Sequence, residues 1–230
     1  MERLIPKPAF LDAGTKDKRF RFDSPTPQIL QVLMCVRIAS GLDACLDLLA
    51  VGHTTEIGVL LRTIDDFVGD VFFVDEVIDK GESNATTSQI KFLKDYFIDE
   101  KADPTVPPTR PDLKRRQKVQ ASEARTLGGD NPYRVVGLVK PIDDVLSGVV
   151  HGSYSSVMEL YGGASLDEAY FHTQGMLERC VEYRFFLGQK IHEALNTFFK
   201  VAYNLGDHDL ANTLREERRE FEKSAYYSTK

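Results

Sequence analysis

Residues 53–81 read HTTEIGVLLRTIDDFVGDVFFVDEVIDKG, and this stretch decides the fold class. Ile57, Leu60, Leu61, Ile64, Phe67, Val68, Val71 and Phe72 recur at helical spacing, which gathers them on one stripe. A strand would alternate apolar and polar residues at every second position, and no sustained alternation of that kind runs anywhere in the chain. The segment His53-Thr54-Thr55-Glu56 opens the helix, which reaches about Asp79 and is stopped by Gly81.

The same grammar extends outward. Upstream, Ser24-Pro25-Thr26-Pro27 predicts a helix start, with Thr26 as cap and Pro27 at the first helical position, and the helix runs to about Val51 before Gly52. Downstream, Ile90, Leu93 and Phe97 mark a helix over about 86–98, and Pro104, Pro107, Pro108 and Pro111 make a stiff connector. Asp112 caps a basic helix ending near Gly128-Gly129, and Asn131-Pro132 starts a stretch that Pro141 divides and His151-Gly152 ends. A short helix then stops at Gly162-Gly163. Ser165 and Glu168 form a capping box for the longest helix, about 166–203, which Gly206 closes, and Asp207 caps a final charged helix to about 224. The expectation is an all-α bundle of about six to eight helices with one long C-terminal helix. An irregular arm over 1–25 precedes a single helical domain over 26–224, and a frayed tail over 225–230 follows.

A chain of 230 residues suits one large domain that needs no metal or disulfide to hold its core. The three cysteines, Cys35, Cys45 and Cys180, lie in apolar helical stretches with no CxxC pair, so neither a zinc ribbon nor a thioredoxin-like motif is encoded. Met1–Leu11 lacks the apolar run of a signal peptide, and Arg37, Asp43, Arg62 and Asp66 interrupt the longest apolar stretches. These features predict a cytoplasmic protein without a membrane span. The net charge of −6 argues against a generic nucleic-acid binder. Between Arg110 and Lys140, however, eight basic residues face three acidic ones, which is either a solvated helix face or a phosphate-contacting patch.

Charges that break the apolar pattern are the candidate functional residues. In the long helix, Tyr170, Leu177, Val181, Ile191, Leu195 and Ala202 are read onto one face with Arg184 at its centre and Gly188 a turn later. Arg62 and Asp66 point away from the main stripe of their helix, toward a side that Val59 and Phe73 mark as covered, with Gly58 and Gly69 leaving room for a close neighbour. The first helix carries a polar stripe of Arg37, Ser40, Asp43 and Asp47. Three helices are thus expected to bring an arginine to the interior. Either Asp43, Asp47 or Asp66 pairs with them in a structural network, or they line a pocket for an anion such as a phosphate. His151 ends a helix beside Gly152, with Ser153 and Tyr154 following, an accessible place for a general acid or base.

Leu61-Arg62-Thr63-Ile64-Asp65-Asp66 and Leu146–Ser153 resemble segments of an uncharacterised family of bacterial helical proteins related to the HEPN superfamily, over about residues 28–160. Arg62 matches the family's arginine, Asp66 stands where glutamate is usual, and His151 matches its histidine. The resemblance implies metal-independent RNA cleavage at a homodimer interface, in stress or phage defence. The arginine–histidine pair there promotes attack of a ribose 2′-hydroxyl on its own phosphate. In HEPN nucleases themselves an arginine lies a few residues from the catalytic histidine, whereas Leu146 and Val145 occupy that place here, so Arg62 or Arg184 must supply the cation from another helix. On this reading His151, Arg62 and Arg184 are catalytic, Asp66, Arg37, Asp43, Ser153 and Tyr154 support them, and no cofactor or metal is required.

Other constellations are weaker. His53-Thr54-Thr55-Glu56 reverses the order of ferritin-like di-iron ligands, Asp65, Asp66 and Asp70 suit a solvated helix side, and His208-Asp209 lacks companion histidines. No Walker loop, Rossmann glycine pattern or nucleophile elbow is present. Two further functions stay open: a non-enzymatic protein-interaction module in which the Arg–Asp network only fixes the fold, and a small-anion or nucleotide-binding bundle.

Overall fold

The computed structural model describes residues 5–12, 18–22, 26–97, 147, 149–151, 160–162, 170–171 and 177–227. Among them five helices carry the fold, and the packed core is all-α. Helix α1, Pro27–Val51, starts where the sequence places it: the Ile29 N–H donates to Thr26 Oγ1 at 3.3 Å, and Pro27 sits in the first turn. It ends at Gly52, whose φ of 82° lies in the left-handed region and lets its N–H turn back onto the Leu48 and Leu49 carbonyls. Helix α2, Thr54–Lys80, follows almost at once.

Helix α3, Thr87–Tyr96, begins with a capping box. The Gln89 N–H donates to Thr86 Oγ1 at 3.3 Å, and Gln89 Oε1 accepts from the Thr86 N–H at 2.9 Å. Gln89 Nε2 also donates to the Phe73 carbonyl at 3.2 Å, so one residue both starts α3 and ties it to α2. Helix α4, Leu177–Asn204, and helix α5, His208–Tyr227, complete the set. The predicted cap of α5 is present, with the Leu210 N–H donating to Asp207 Oδ1 at 3.0 Å. The helix continues past its expected end at 224 because no glycine or proline interrupts residues 208–227.

Contacts set the helix directions. Gln31 meets Val71 and Gly41 meets Ile64, so α1 and α2 are antiparallel. Gly58 meets Tyr183, Asp65 meets Lys190 and Asp75 meets Lys200, so α2 and α4 run parallel. Asn196 meets Arg218 and His192 meets Glu222, which lays α5 antiparallel on α4. Parallel neighbours need a long crossover, and the chain from Gly81 to Leu177 supplies it. Ile29, Leu30 and Ile38 of α1, Ile57, Leu61, Ile64, Val68 and Val71 of α2, and Leu187 and Val201 of α4 form the buried core. At Gly41 a Cβ would meet the Ile64 side chain at 3.0 Å, so this glycine is where α1 and α2 come closest to needing its bare backbone.

Three features differ from expectation. Within the arm, Ala9–Asp12 (β1) pairs antiparallel with Lys18–Arg21 (β2). Tyr161–Gly162 (β3) pairs antiparallel with Tyr170–Phe171 (β4), so Tyr170 does not belong to the long helix, which is described from Leu177. The capping box at Ser165 and Glu168 lies outside the described residues, as do the helices expected from Asp112 to Pro141 that bring the count to six to eight. Finally, α1 is long and apolar enough, by length and composition, to cross a membrane, although no such stretch was expected. Its charges, Arg37, Asp43 and Asp47, are spaced widely enough to leave a long apolar window, and its apolar row Ile29, Leu30, Ile38 is buried against its neighbours.

Candidate functional site

Of the three arginines expected in the interior, Arg62 is buried and the other two are not. Arg62 is 6% exposed and lies on α2, where its Nη2 approaches Asp66 Oδ1 at 3.3 Å across one helical turn. The Asp66 side chain is exposed, so the pair runs from the interior to the rim. Arg37 is exposed on α1, its guanidinium 5.6 Å from the centre of the Phe67 ring, and Asp43 and Asp47 share that exposed side. Arg184 is also exposed. The expected meeting of three arginines is therefore corrected to a single buried one.

The physical reason is the phase of α4. This helix has two apolar rows. Tyr183, Leu187, Ala194 and Val201 turn inward, whereas Val181 and Phe185 are 61% and 64% exposed. The spacing that places Val181 in the core carries Arg184 inward with it, whereas both are exposed in the structure. Two competing rows on one helix leave the buried side undetermined until the neighbouring helices are in place.

At Gly58 the elements that carry Arg62, Arg184 and His151 come into contact. A Cβ at this position would lie 2.9 Å from Val149 Cγ1 and 3.2 Å from the Tyr183 hydroxyl oxygen. Only glycine lets α2, α4 and the turn over Ser147–His151 come this close. Arg62 is one helical turn beyond Gly58 on α2, Arg184 follows Tyr183 on α4, and His151 follows the buried Val149 by two residues. His151 is exposed, and its N–H donates to the Ser147 carbonyl at 3.1 Å, closing the turn. Ser153 and Tyr154 lie outside the described residues.

Two polar clusters between α2 and α4 do not follow from helical spacing alone. In the first, Lys190 Nζ pairs with Asp65 Oδ1 and also with Glu193 Oε2 at 2.6 Å. Burial pushes the Asp65 carboxyl up to about 6, although Lys190 opposes the shift. Burial also presses the Lys190 ammonium toward its neutral form, but Glu193 and Asp65 outweigh it and hold its pKa above the ordinary lysine range. Lys190 is thus a fixed cation, unsuited to act as a base.

In the second cluster, Asn204 Nδ2 donates to Asp75 Oδ1 at 2.6 Å and to Gln31 Oε1 at 3.2 Å, while Lys200 Nζ lies 3.2 Å from Asp75 Oδ2. Gln31 Nε2 donates to the Val71 carbonyl at 3.2 Å, so α1, α2 and α4 share one polar layer. A signal for both clusters exists in the sequence. Asp65 and Asp75 are ten residues apart, as are Lys190 and Lys200, and parallel helices bring both pairs into register together. The match becomes meaningful only once the two helices are known to be parallel neighbours.

Among the described residues no group of three or more His, Cys, Asp or Glu side chains could hold a metal ion. His53 Nδ1 lies 3.9 Å from Glu56 Oε2 at the start of α2. Burial raises the Cys35 thiol to about 12 and the Cys45 thiol to about 11, which leaves both without nucleophilic thiolate near neutral pH.

The described residues form an all-α core with one buried arginine, Arg62, a helical turn from the close contact at Gly58. No family model, curated protein or solved structure matches the chain.

Proposed function

We propose that the protein is a HEPN-like helical protein that acts on RNA, cutting it without a metal by general acid–base chemistry. The observation that supports this reading is the close contact at Gly58, because it sets the elements bearing His151, Arg62 and Arg184 against one another although they are distant in sequence. In the proposed reaction His151 takes the proton of a ribose 2′-hydroxyl as its oxygen bonds to the adjacent phosphorus, the bond from phosphorus to the 5′-oxygen breaks, the departing oxygen receives a proton back from His151, and an arginine offsets the charge that builds on the phosphate. The exposed Arg184 suits contact with substrate, and Arg62, held by Asp66, supplies fixed positive charge from below. Arg37 and Asp43 lie on the exposed side of α1 and support the fold or bind RNA rather than line the centre. The same reading takes the protein as a cytoplasmic homodimer in stress or phage defence, with a bundle of six to eight helices.

The test is RNA cleavage in excess EDTA by the wild type, His151→Ala and Arg184→Gln. Both substituted side chains are exposed, so neither change should disturb folding. The expected result is 2′,3′-cyclic phosphate ends from the wild type, with activity lost in His151→Ala and reduced in Arg184→Gln, at unchanged melting temperature. Equal cleavage by the wild type and His151→Ala would refute the assignment. The exposed Val181 and Phe185 favour a second reading, a protein-interaction module, which predicts no cleavage by any of the three proteins.

A further inference from the structure

We propose that α5 is a releasable strap, a helix held on α4 by an exchangeable polar seam, whose opening bares a continuous row of α4. Unlike the reading above, it concerns the conformational behaviour of the fold and does not depend on RNA.

Among the described residues, three polar side-chain contacts form the seam. His192 Nε2 and Glu222 Oε1 are 2.6 Å apart, Arg218 Nη1 donates to Asn196 Oδ1 at 2.8 Å, and the Arg215 guanidinium lies 5.9 Å from the centre of the Phe199 ring. Water and salt can replace each of these, because His192, Glu222 and Arg218 are all partly exposed. The seam is also imperfect: Arg218 Nε is buried without a hydrogen-bond partner, 3.6 Å from Glu222. Fully buried apolar anchoring of the described α5 side chains is confined to the first turn. Among the described side chains of α5, Ala211 is buried, Leu210, Leu214 and Phe221 are half-buried, and most of the others face solvent. Arg219 pairs with Glu216 and Lys223 with Glu220, so these charges support the helix itself rather than its attachment. By contrast, α1 and α2 face one another through fully buried rows.

The α4 side chains that α5 engages lie along one row of that helix. Val181, Phe185, His192, Asn196 and Phe199 follow one another at helical spacing, over roughly 27 Å of helix. The Val181–Phe185 end is bare, and α5 covers the remainder. The connection is short: Gly206, with φ of 75°, joins the two helices, and Tyr203 touches His208 edge-on at 5.3 Å. Movement about this joint would extend the exposed row toward Phe199 without disturbing the core between α1 and α2.

Hydrogen exchange of the full-length protein, read by mass spectrometry at pH 7 in low salt and in about 0.5 M NaCl, tests the strap. Amides over 211–222 should exchange at least ~100-fold faster than the buried amides of α1 and α2, and faster still in high salt. The double variant His192→Gln, Arg218→Gln should raise α5 exchange by a further ~10-fold and leave α1 and α2 unchanged. The proposal is overturned if α5 exchanges as slowly as α1 and α2 and without regard to salt. It is equally overturned if fast exchange is confined to residues beyond 222, or if the double variant speeds all helices alike.

Discussion

Replacing Asp75 by Asn probes the layer that joins three helices. The aspartate is 4% exposed and accepts from Asn204 at 2.6 Å while facing Lys200 at 3.2 Å. The amide keeps the volume, withdraws the charge and turns an N–H2 toward one of two donors. Hydrogen bonds to charged groups contribute about 1.5–3 kcal/mol, and breaking a buried pair costs about 3–5 kcal/mol. Lys200 is 30% exposed and keeps Asp79 at 3.6 Å, which reduces the loss by solvent screening. The expected destabilisation is therefore about 2–3 kcal/mol, or a fall in melting temperature of about 5–10 °C for a chain of this size. Gln31→Leu supplies the contrast. The Val71 carbonyl keeps its bond within α2 and Asn204 keeps Asp75, so the cost should stay within about 1 kcal/mol. Urea unfolding with unchanged slope measures both, and Lys200→Met in each background closes a double-mutant cycle. If Asp75→Asn falls within about 0.5 kcal/mol of wild type, or Lys200→Met costs the same in both backgrounds, the layer does not couple the helices.

Three further outcomes follow from the geometry. Gly58→Val should destabilise by about 1–3 kcal/mol, because even its first carbon meets Val149 at 2.9 Å, and calorimetry would detect it; a neutral effect would deny the close junction. The Asp65 carboxyl, raised by burial from 3.8 to about 6, contributes stability that is fully present below its unfolded pKa and lost as pH rises through about 6. Urea midpoints between pH 4 and 7 should therefore vary less with pH in Asp65→Asn than in wild type, and an unchanged profile would contradict the assignment. A thiol-alkylating reagent applied to the folded protein at mildly alkaline pH should label the half-buried Cys180 ahead of the buried Cys35 and Cys45, read by peptide mapping.

The sequence by itself determined the elements whose signals are local. The Thr26-Pro27 start and Gly52 stop of α1, the apolar stripe of α2, and the Asp207 cap of α5 each depend on residues within one or two turns. These reappear in the structure because capping and turn chemistry act over short distances. Gly58 and Arg62 were also legible as a place of close approach and a charge out of pattern. Only tertiary structure decided which side of α4 faces inward, since the row through Tyr183 and Leu187 and the row through Val181 and Phe185 are both apolar. Arg184 moved to the surface with that choice, and Lys190 and Lys200 moved to the carboxylates of Asp65 and Asp75. Hydrophobic spacing reports that a helix has a face, but a charge is held inside only where another helix presents its partner, and the parallel crossover of α2 and α4 is a property of the assembled chain.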